Sequence, residues 1–323
     1  MSLAGAAVPP AIAGRLRLPL IAAPMLHVSG PDLVAAACRA GVIGAFPTKN
    51  ARSVEQLDAW LSDIRARLAD TDGRAAPFCP NLIMRDGRLK DDLACVARHG
   101  AEVVITSVGS PAAAVPALHD AGCLVLADVA TLRHAEQAIA ARADGLILLT
   151  AGAGGQTGWL NPFAFARAVR SMFDGIVVLA GGVSDGYALA AARVLGCDLA
   201  YMGTRFIATR ESLASDAYRA MLVQSSMDDV LLTASFTGLP ANMLAPSIVA
   251  AGLDPKRLDE SMNEARAREQ FGAGSSRVGP RRWTDIWSAG HSVSGVSRSQ
   301  TVRELVEETF EEYAATIDAR GKP

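Results

Sequence analysis

The sequence predicts an α/β protein, a (β/α)8 TIM barrel carrying a small C-terminal helical insertion or cap. Three observations predict it. Eight short apolar runs begin 20 to 36 residues apart, with amphipathic stretches of helical period between them. The runs do not alternate apolar with polar, as strands covered on both faces should not. The chain has 323 residues, more than the roughly 250 of one barrel, and the surplus begins where the β/α rhythm stops. An open doubly wound sheet would want G-x-G-x-x-G after its first strand, and nothing of the kind follows Ile21–Met25.

The elements read in order as follows. A strand at Leu20–Ala23 precedes a helix at Pro31–Ala40, and a second strand is Val42–Ala45. Ser53–Leu68 sets Val54, Leu57, Trp60, Leu61, Ile64 and Leu68 on one face, and Ser53-x-x-Gln56 reads as a capping box. Strand Phe78–Ile83 is followed by a helix at Gly87–His99, where Leu89, Leu93 and Val96 repeat the stripe. Strands Val103–Thr106, Cys123–Ala127, Gly145–Leu149, Ile176–Ala180 and Leu199–Met202 complete the eight. Helices at Pro111–Ala121, Thr131–Ala141, Asn161–Ser171 and Asp185–Leu195 join them, the last closed by Gly196 as a C-terminal cap. From about Ala220 the rhythm breaks. Leu222–Pro240 is mixed, Pro255–Ser276 is charged and helix-like, Gly272–Pro280 is a Gly/Ser loop, and Arg303–Ile317 is an acidic amphipathic helix. The expected organisation is a barrel over 1–220, a helical cap segment over 221–280, and a tail over 281–323 that returns to the barrel. The surplus is read as a cover for the barrel, not an independent domain.

Composition narrows the function. A formal net charge of −2 without a basic run argues against nucleic-acid binding. No apolar stretch reaches the 18 or more residues of a spanning helix, so no membrane role is expected. The N-terminus lacks the basic start of a signal peptide, and the five cysteines form no C-x-x-C pair, so free thiols in a reducing cytoplasm are expected. Only four lysines and five histidines are present, so proton-handling side chains are scarce.

Barrel chemistry sits at the C-terminal strand ends, and that rule filters the candidates. His27 follows the first strand at once and can act there, whereas His99, His119 and His134 read as structural, and His291 is unplaced. No His/Cys/Asp/Glu cluster has metal-ligand spacing, so no metal is expected. Lys49 reads as a solvated loop residue, and no predicted strand holds a Schiff-base lysine. Asp128 is either a turn-forming cap before the Thr131 helix or a functional carboxylate. What the strand ends offer is glycine: 151–158 after the sixth strand, Ala180-Gly181-Gly182 after the seventh, and Met202-Gly203-Thr204 at the eighth. Glycines there let backbone N–H groups approach an anion, and the following helices are expected to aim their N-termini at it. Barrels bind phosphate after strands seven and eight, so a phosphate-bearing ligand is expected.

From about Pro19 to Ser297 the chain resembles the nitronate monooxygenase family, formerly the 2-nitropropane dioxygenases, which are FMN-containing barrels. The resemblance rests on Ala23-Pro24-Met25 with Ser29, Asn81, Ala143-Asp144-Gly145, Gly154-Gly155-Gln156-Thr157-Gly158, Ala180-Gly181-Gly182, Met202-Gly203-Thr204-Arg205-Phe206 with Thr209-x-Glu211-Ser212, and Trp287-Ser288-Ala289-Gly290. It implies that Ala23, Pro24 and Met25 lie beside the isoalloxazine, that Asn81 bonds FMN, and that Gly154 and Gly155 line the flavin. It implies that Gly181, Gly182, Gly203 and Thr204 hold the phosphate; Met202 and Asp128 complete the expected cofactor-binding set. The implied activity is oxidation of a small-molecule alkyl nitronate with O2 to a carbonyl compound and nitrite, by a monomer or homodimer. The family motif places an acid/base His where this chain has Gln156, which a proton cannot charge near neutral pH. Gln156 and His27 are the candidate catalytic residues. Two alternatives stand beside this reading: an FMN-dependent NAD(P)H reductase of a quinone or enoyl thioester, and a flavin- or phosphate-binding barrel without turnover.

Overall fold

In the computed structural model, which describes residues 7–272 and 279–320, eight parallel strands close on themselves. They are β1 (Leu20–Ala22), β2 (Ile43–Pro47), β3 (Phe78–Ile83), β4 (Val103–Ser107), β5 (Leu124–Val129), β6 (Gly145–Leu149), β8 (Ile176–Ala180) and β9 (Leu199–Met202), with β1 pairing β9 to shut the ring. A short β7 (Gly155–Gln156) stands outside it. The helices are α1 (Pro10–Ala13), α2 (Pro31–Arg39), α3 (Val54–Leu68), α4 (Leu89–Arg98), α5 (Val115–Asp120), α6 (Leu132–Ala140), α7 (Pro162–Arg170), α8 (Gly186–Val194), α9 (Thr204–Ile207) and α10 (Asp216–Gln224). Then come β10 (Val230–Thr233), β11 (Ala241–Leu244), α11 (Ala245–Ala250), α12 (Glu264–Phe271) and α13 (Val302–Arg320). Residues 273–278 of the predicted Gly/Ser loop, and both termini beyond 7 and 320, lie outside the described residues.

The barrel strands carry apolar residues in both phases because each phase has a partner. One phase, including Ile21, Ile43, Cys79, Ile105, Leu126, Ile147 and Val178, fills the barrel. The other, including Leu146, Leu148, Val177, Leu179 and Ala200, packs on the helices. Val8, Ile12 and Leu16, on and around α1, join the interior cluster beside Val103, Ile176 and Leu199 at the strand starts, so the N-terminal segment closes that end of the barrel. The caps follow the sequence. Thr131 Oγ1, Asn161 Oδ1 and Asp185 Oδ1 each accept backbone N–H groups of the helix they begin, and Gly196 takes the left-handed conformation (φ 94°) after α8. At α3 half of the expected capping box forms: Ser53 Oγ accepts from Gln56 N, but the Gln56 side chain accepts from Arg52 N instead of Ser53.

Three expectations need correction. The helix predicted at Pro111–Ala121 splits into a turn at Pro111–Ala113 and α5, because Pro116 has no N–H to give and fits only the first turn. Within the described part of the helix-like Pro255–Ser276, up to residue 272, helix forms only over α12: Asp254 and Asp259 side chains accept N–H groups two residues on, fixing turns that compete with helix. The surplus also contains β10 and β11, which form an antiparallel sheet with β7 in the order β10-β11-β7. Four-residue runs inside a mixed stretch are too short to show a period.

The tail returns to the barrel as α13. Glu211 accepts the N–H of Val302 at its start, Arg205 pairs with Glu308, and Glu312 accepts the N–H of Gly186 at 2.8 Å. A Cβ at Gly186 would stand 2.2 Å from Tyr313 N and 2.5 Å from Thr309 O. Gly186→Ala is therefore expected to lower stability by about 2 kcal/mol through overpacking, read as a lower Tm. An unchanged Tm would mean that α13 does not seat on α8.

Candidate active site

Period-two alternation decides which side chains reach the open end of the barrel. Continuing the interior phase to the C-terminal strand ends gives Pro47, Asn81, Ser107, Asp128, Leu149, Ala180 and Tyr201, and all seven line one cavity of about 1050 Å³. The loop after β1 forms one wall. Ser29 Oγ accepts from Met25 N and donates to Ala23 O, while the Asn50 amide donates to the carbonyls of Met25 and Ser29. Ser29 thus fixes the Ala23-Pro24-Met25 turn, and Asn50 is a positioning residue that sequence reasoning passed over.

The glycine loop after β6 is fixed from both sides. Thr157 Oγ1 donates to Thr150 O, the Asn242 amide of β11 donates to Ala153 O, and Thr157 N donates to Pro240 O. A Cβ at Gly154 would meet Gly290 N at 2.6 Å, and one at Gly158 would meet Leu149 O at 2.2 Å, so both are needed for close backbone approach. Gly182 differs. It has φ 73° and no atom within 4 Å of a built Cβ, so it faces open cavity. Gly203 is similarly open, with only Ala23 Cβ and Met25 Sδ at 3.6 Å. Thr204 Oγ1 accepts from Gly290 N at 2.9 Å, joining the tail to the end of β9.

Ala23, Pro24, Met25, Asn81, Asp128, Gly154, Gly155, Gln156, Gly181, Gly182, Gly203 and Thr204 all line this cavity. Two expected residues do not. Met202 falls in the outward phase of β9, is fully buried, and packs among the helices. His27 is exposed on a left-handed turn (φ 60°), its N–H bound to Asn50 Oδ1, and is absent from the cavity wall. The expected role of helix N-termini also fails. The start of α8 is taken by Asp185 and Glu312, and α9 after β9 is a single turn. An anion here must meet the loop backbone itself.

Asp128 is a strand residue, not a cap; Thr131 caps α6. Its Oδ1 is buried without a hydrogen-bond partner among the described residues, and burial pushes its carboxyl up to about 7. Burial first, and then the Asp128 charge, push the Tyr201 phenol well above its usual range. The raised folded value means that Asp128 contributes most stability below about pH 4, and that this is lost as pH rises through about 7. In the FMN-free protein Asp128→Asn is accordingly expected to stabilise by about 2 kcal/mol at pH 8, the relief of a buried charge (about 4) less the cost of new amide donors. The gain should shrink toward pH 5 in denaturant unfolding; an equal effect at both would contradict a buried, raised carboxyl.

Asn81 Oδ1 accepts from Ser107 Oγ at 2.9 Å, which leaves its amide N–H groups for a ligand. The Gln156 side chain has no partner among the described residues, and its backbone is held in register opposite Ala241 of β11. Sequence reasoning missed Ser107 and Tyr201, although alternation from Val103 and Leu199 reaches both. It also missed Arg85, Arg268, Arg282 and Trp283 on the wall, and for the residues of the cap no local signal existed. His134 stands at the cavity edge, exposed, and His291 N donates to Gly152 O. Away from the cavity, Asp58 of α3, Cys95 of α4 and His99 just after α4 do come together, a grouping that sequence spacing did not reveal. His99 Nε2 bonds Asp58 Oδ1 at 2.9 Å and Arg98 occupies the same oxygen, so the carboxylate is already engaged.

Of the other matching pieces, Ser288 and Ala289 line the cavity, while Trp287 and Asp144 serve as scaffold. Trp287 stacks on Tyr218 with centroids 4.8 Å apart, and Asp144 accepts from Val125 N and contacts His119. Compared with known proteins, residues 81–312 match the sequence model of a family described as nitronate monooxygenase. A nitronate monooxygenase of Paraburkholderia phytofirmans is 27% identical over 93% of this chain and 93% of its own. An octahydroindene-carboxyl-CoA dehydrogenase of Mycobacterium tuberculosis is 28% identical over 72% of this chain and 64% of its own. The solved nitroalkane oxidase of Streptomyces ansochromogenes superposes with a TM-score of 0.79 at 25% identity, covering 94% of this chain and 98% of that one.

Proposed function

Because the chain belongs to the nitronate monooxygenase family, we propose that it holds FMN in the barrel-end cavity and oxidises alkyl nitronates with O2 to a carbonyl compound and nitrite. As a member of that family it is an oxidoreductase. The observation that carries the finer reading is the meeting of three glycine-edged loops, after β6, β8 and β9, with Asn81 and Asp128 on one cavity.

The residues present fit FMN. The open, left-handed Gly182 and the open Gly203 leave backbone at the surface where a phosphate can approach. The unpartnered Asp128 Oδ1 is an acceptor for a ring N–H, and the Asn81 amide is a donor for a ring acceptor. Ala23, Pro24 and Met25 give the ring an apolar wall. About 1050 Å³ is at the upper end for a small-molecule site, which leaves room for a second molecule. FMN, when bound, supplies the electron chemistry; the chain supplies position and polarity. The Gln156 amide donates to a nitro oxygen and orients the substrate, while the β10-β11 sheet and the 280–290 segment cover the site. No side chain at Gln156 removes a proton. A nitronate already lacks that proton, so nitronates are expected to turn over faster than the parent nitroalkanes.

Five buried, unpaired cysteines support a reducing cytoplasmic setting, and among the described residues no helix is long and apolar enough to cross a membrane. The second reading, an NAD(P)H-dependent reductase acting on a quinone or enoyl thioester, draws its support from the CoA-thioester dehydrogenase relative. Anaerobic titration separates the two. The proposal expects nitronate to bleach the flavin and NAD(P)H to leave it oxidised; bleaching by NADH or NADPH alone would favour the reductase.

A further inference from the structure

We propose that the cap side of the cavity is a subsite for a phosphate group borne by the substrate, held between Arg268 of α12 and Arg282 of the returning segment. This rests on the reading of the cavity as an active site, and it names a substrate class for it. Both guanidinium-bearing residues line the cavity. Arg282 is half-buried, and among the described residues its side chain makes one hydrogen bond, from Nη1 to the carbonyl of Phe236 at 3.0 Å. Arg268 has no carboxylate partner among the described residues. Burial first, and then the nearby Arg268 charge, lower the Arg282 pKa, and the Glu264 carboxylate partly offsets this.

The nearby acids are spent. Glu264, which also lines the cavity, pairs with Arg85 at 3.0 Å. Glu260 accepts from Thr233, Ser235 and the N–H of Ala234, Asp259 engages Ser261 and Arg266, and Asp285 accepts from Arg281 N. Of the described carboxylates, Glu264 is the one that acts on Arg282, and it is already paired with Arg85, so two guanidiniums face the cavity with less than one carboxylate between them. Held together at a partly desolvated wall they oppose each other, and an anion between them relieves both the repulsion and the unmet donors. A single carboxylate balances one charge, and a dicarboxylate brings two only on separate planar groups; a phosphate ester or diphosphate gathers at least two charges on one compact cluster of oxygens that matches two planar forks. Arg268 is exposed, so the group bearing the phosphate can extend outward from the rim.

The test uses the FMN-loaded protein and inorganic pyrophosphate as probe, by isothermal titration calorimetry, with succinate as the carboxylate comparison. Pyrophosphate is expected to bind saturably and at least tenfold more tightly than succinate. Arg268→Gln and Arg282→Gln should each weaken it by about tenfold or more, the loss of a charge-assisted contact, with FMN content unchanged. No saturable pyrophosphate binding, or binding that neither substitution alters, would overturn the subsite. Succinate binding as tightly would overturn its assignment to phosphate. Arg268→Gln, on an exposed helix face, keeps the test open if Arg282→Gln fails to fold. Failure of the FMN reading is seen separately, as protein that takes up no flavin.

Discussion

Gln156→His is expected to raise turnover of neutral nitroalkanes by about 10²-fold, the lower end of what general base catalysis contributes, while nitronate turnover changes little. Position 156 is on β7, its backbone fixed opposite Ala241, and its side chain lines the cavity without a partner among the described residues. An imidazole there would reach the same space as the amide and could take the carbon-bound proton that glutamine cannot. Rates measured separately on nitroalkane and on pre-formed nitronate check this. Equal rates on the two forms in the unmodified protein would show that another group already removes the proton, and Asp128 would be the first to test, since its carboxyl is the cavity group held near neutrality.

The second large effect is expected at Gly182. Gly182→Val should yield folded protein that binds FMN at least 100-fold more weakly, about 2.7 kcal/mol or more. The built Cβ meets nothing within 4 Å, so the folded chain suffers only the left-handed conformation, about 1–2 kcal/mol. The added methyls would occupy the space at the loop where the phosphate approaches. Gly158→Ala is the contrast: its Cβ would stand 2.2 Å from Leu149 O, so it should fail in folding. Circular dichroism and FMN reconstitution distinguish the two. Normal FMN affinity in Gly182→Val would place the phosphate elsewhere.

The barrel was legible because its strands are buried on both faces, so each is a continuous apolar run bounded by glycine, proline or polar residues. Alternation continued from those runs reaches Asn81, Ser107, Asp128 and Tyr201, and the same rule rejects Met202, whose phase points to the helices. Sequence order places His27 at a strand end, but the Asn50 contact and the left-handed turn carry its side chain out to solvent. The α8 N-terminus looked free for an anion because Asp185 was seen only as a helix start; Glu312, more than 120 residues later, closes it. The cap was the least legible part. β10 and β11 are four residues each and exist by pairing with each other and with β7, and Arg268 and Arg282, 14 positions apart, come to one cavity wall only in the folded chain. Such long-range encounters leave no periodic trace in the sequence.

The most direct test of the central claim is the visible absorption spectrum of the purified protein before and after addition of FMN. Stoichiometric uptake of FMN, with a flavin band that persists through desalting and is lost in Gly182→Val, is the predicted result. Protein that remains colourless after incubation with excess FMN, though folded, would contradict the assignment of this cavity to a flavin.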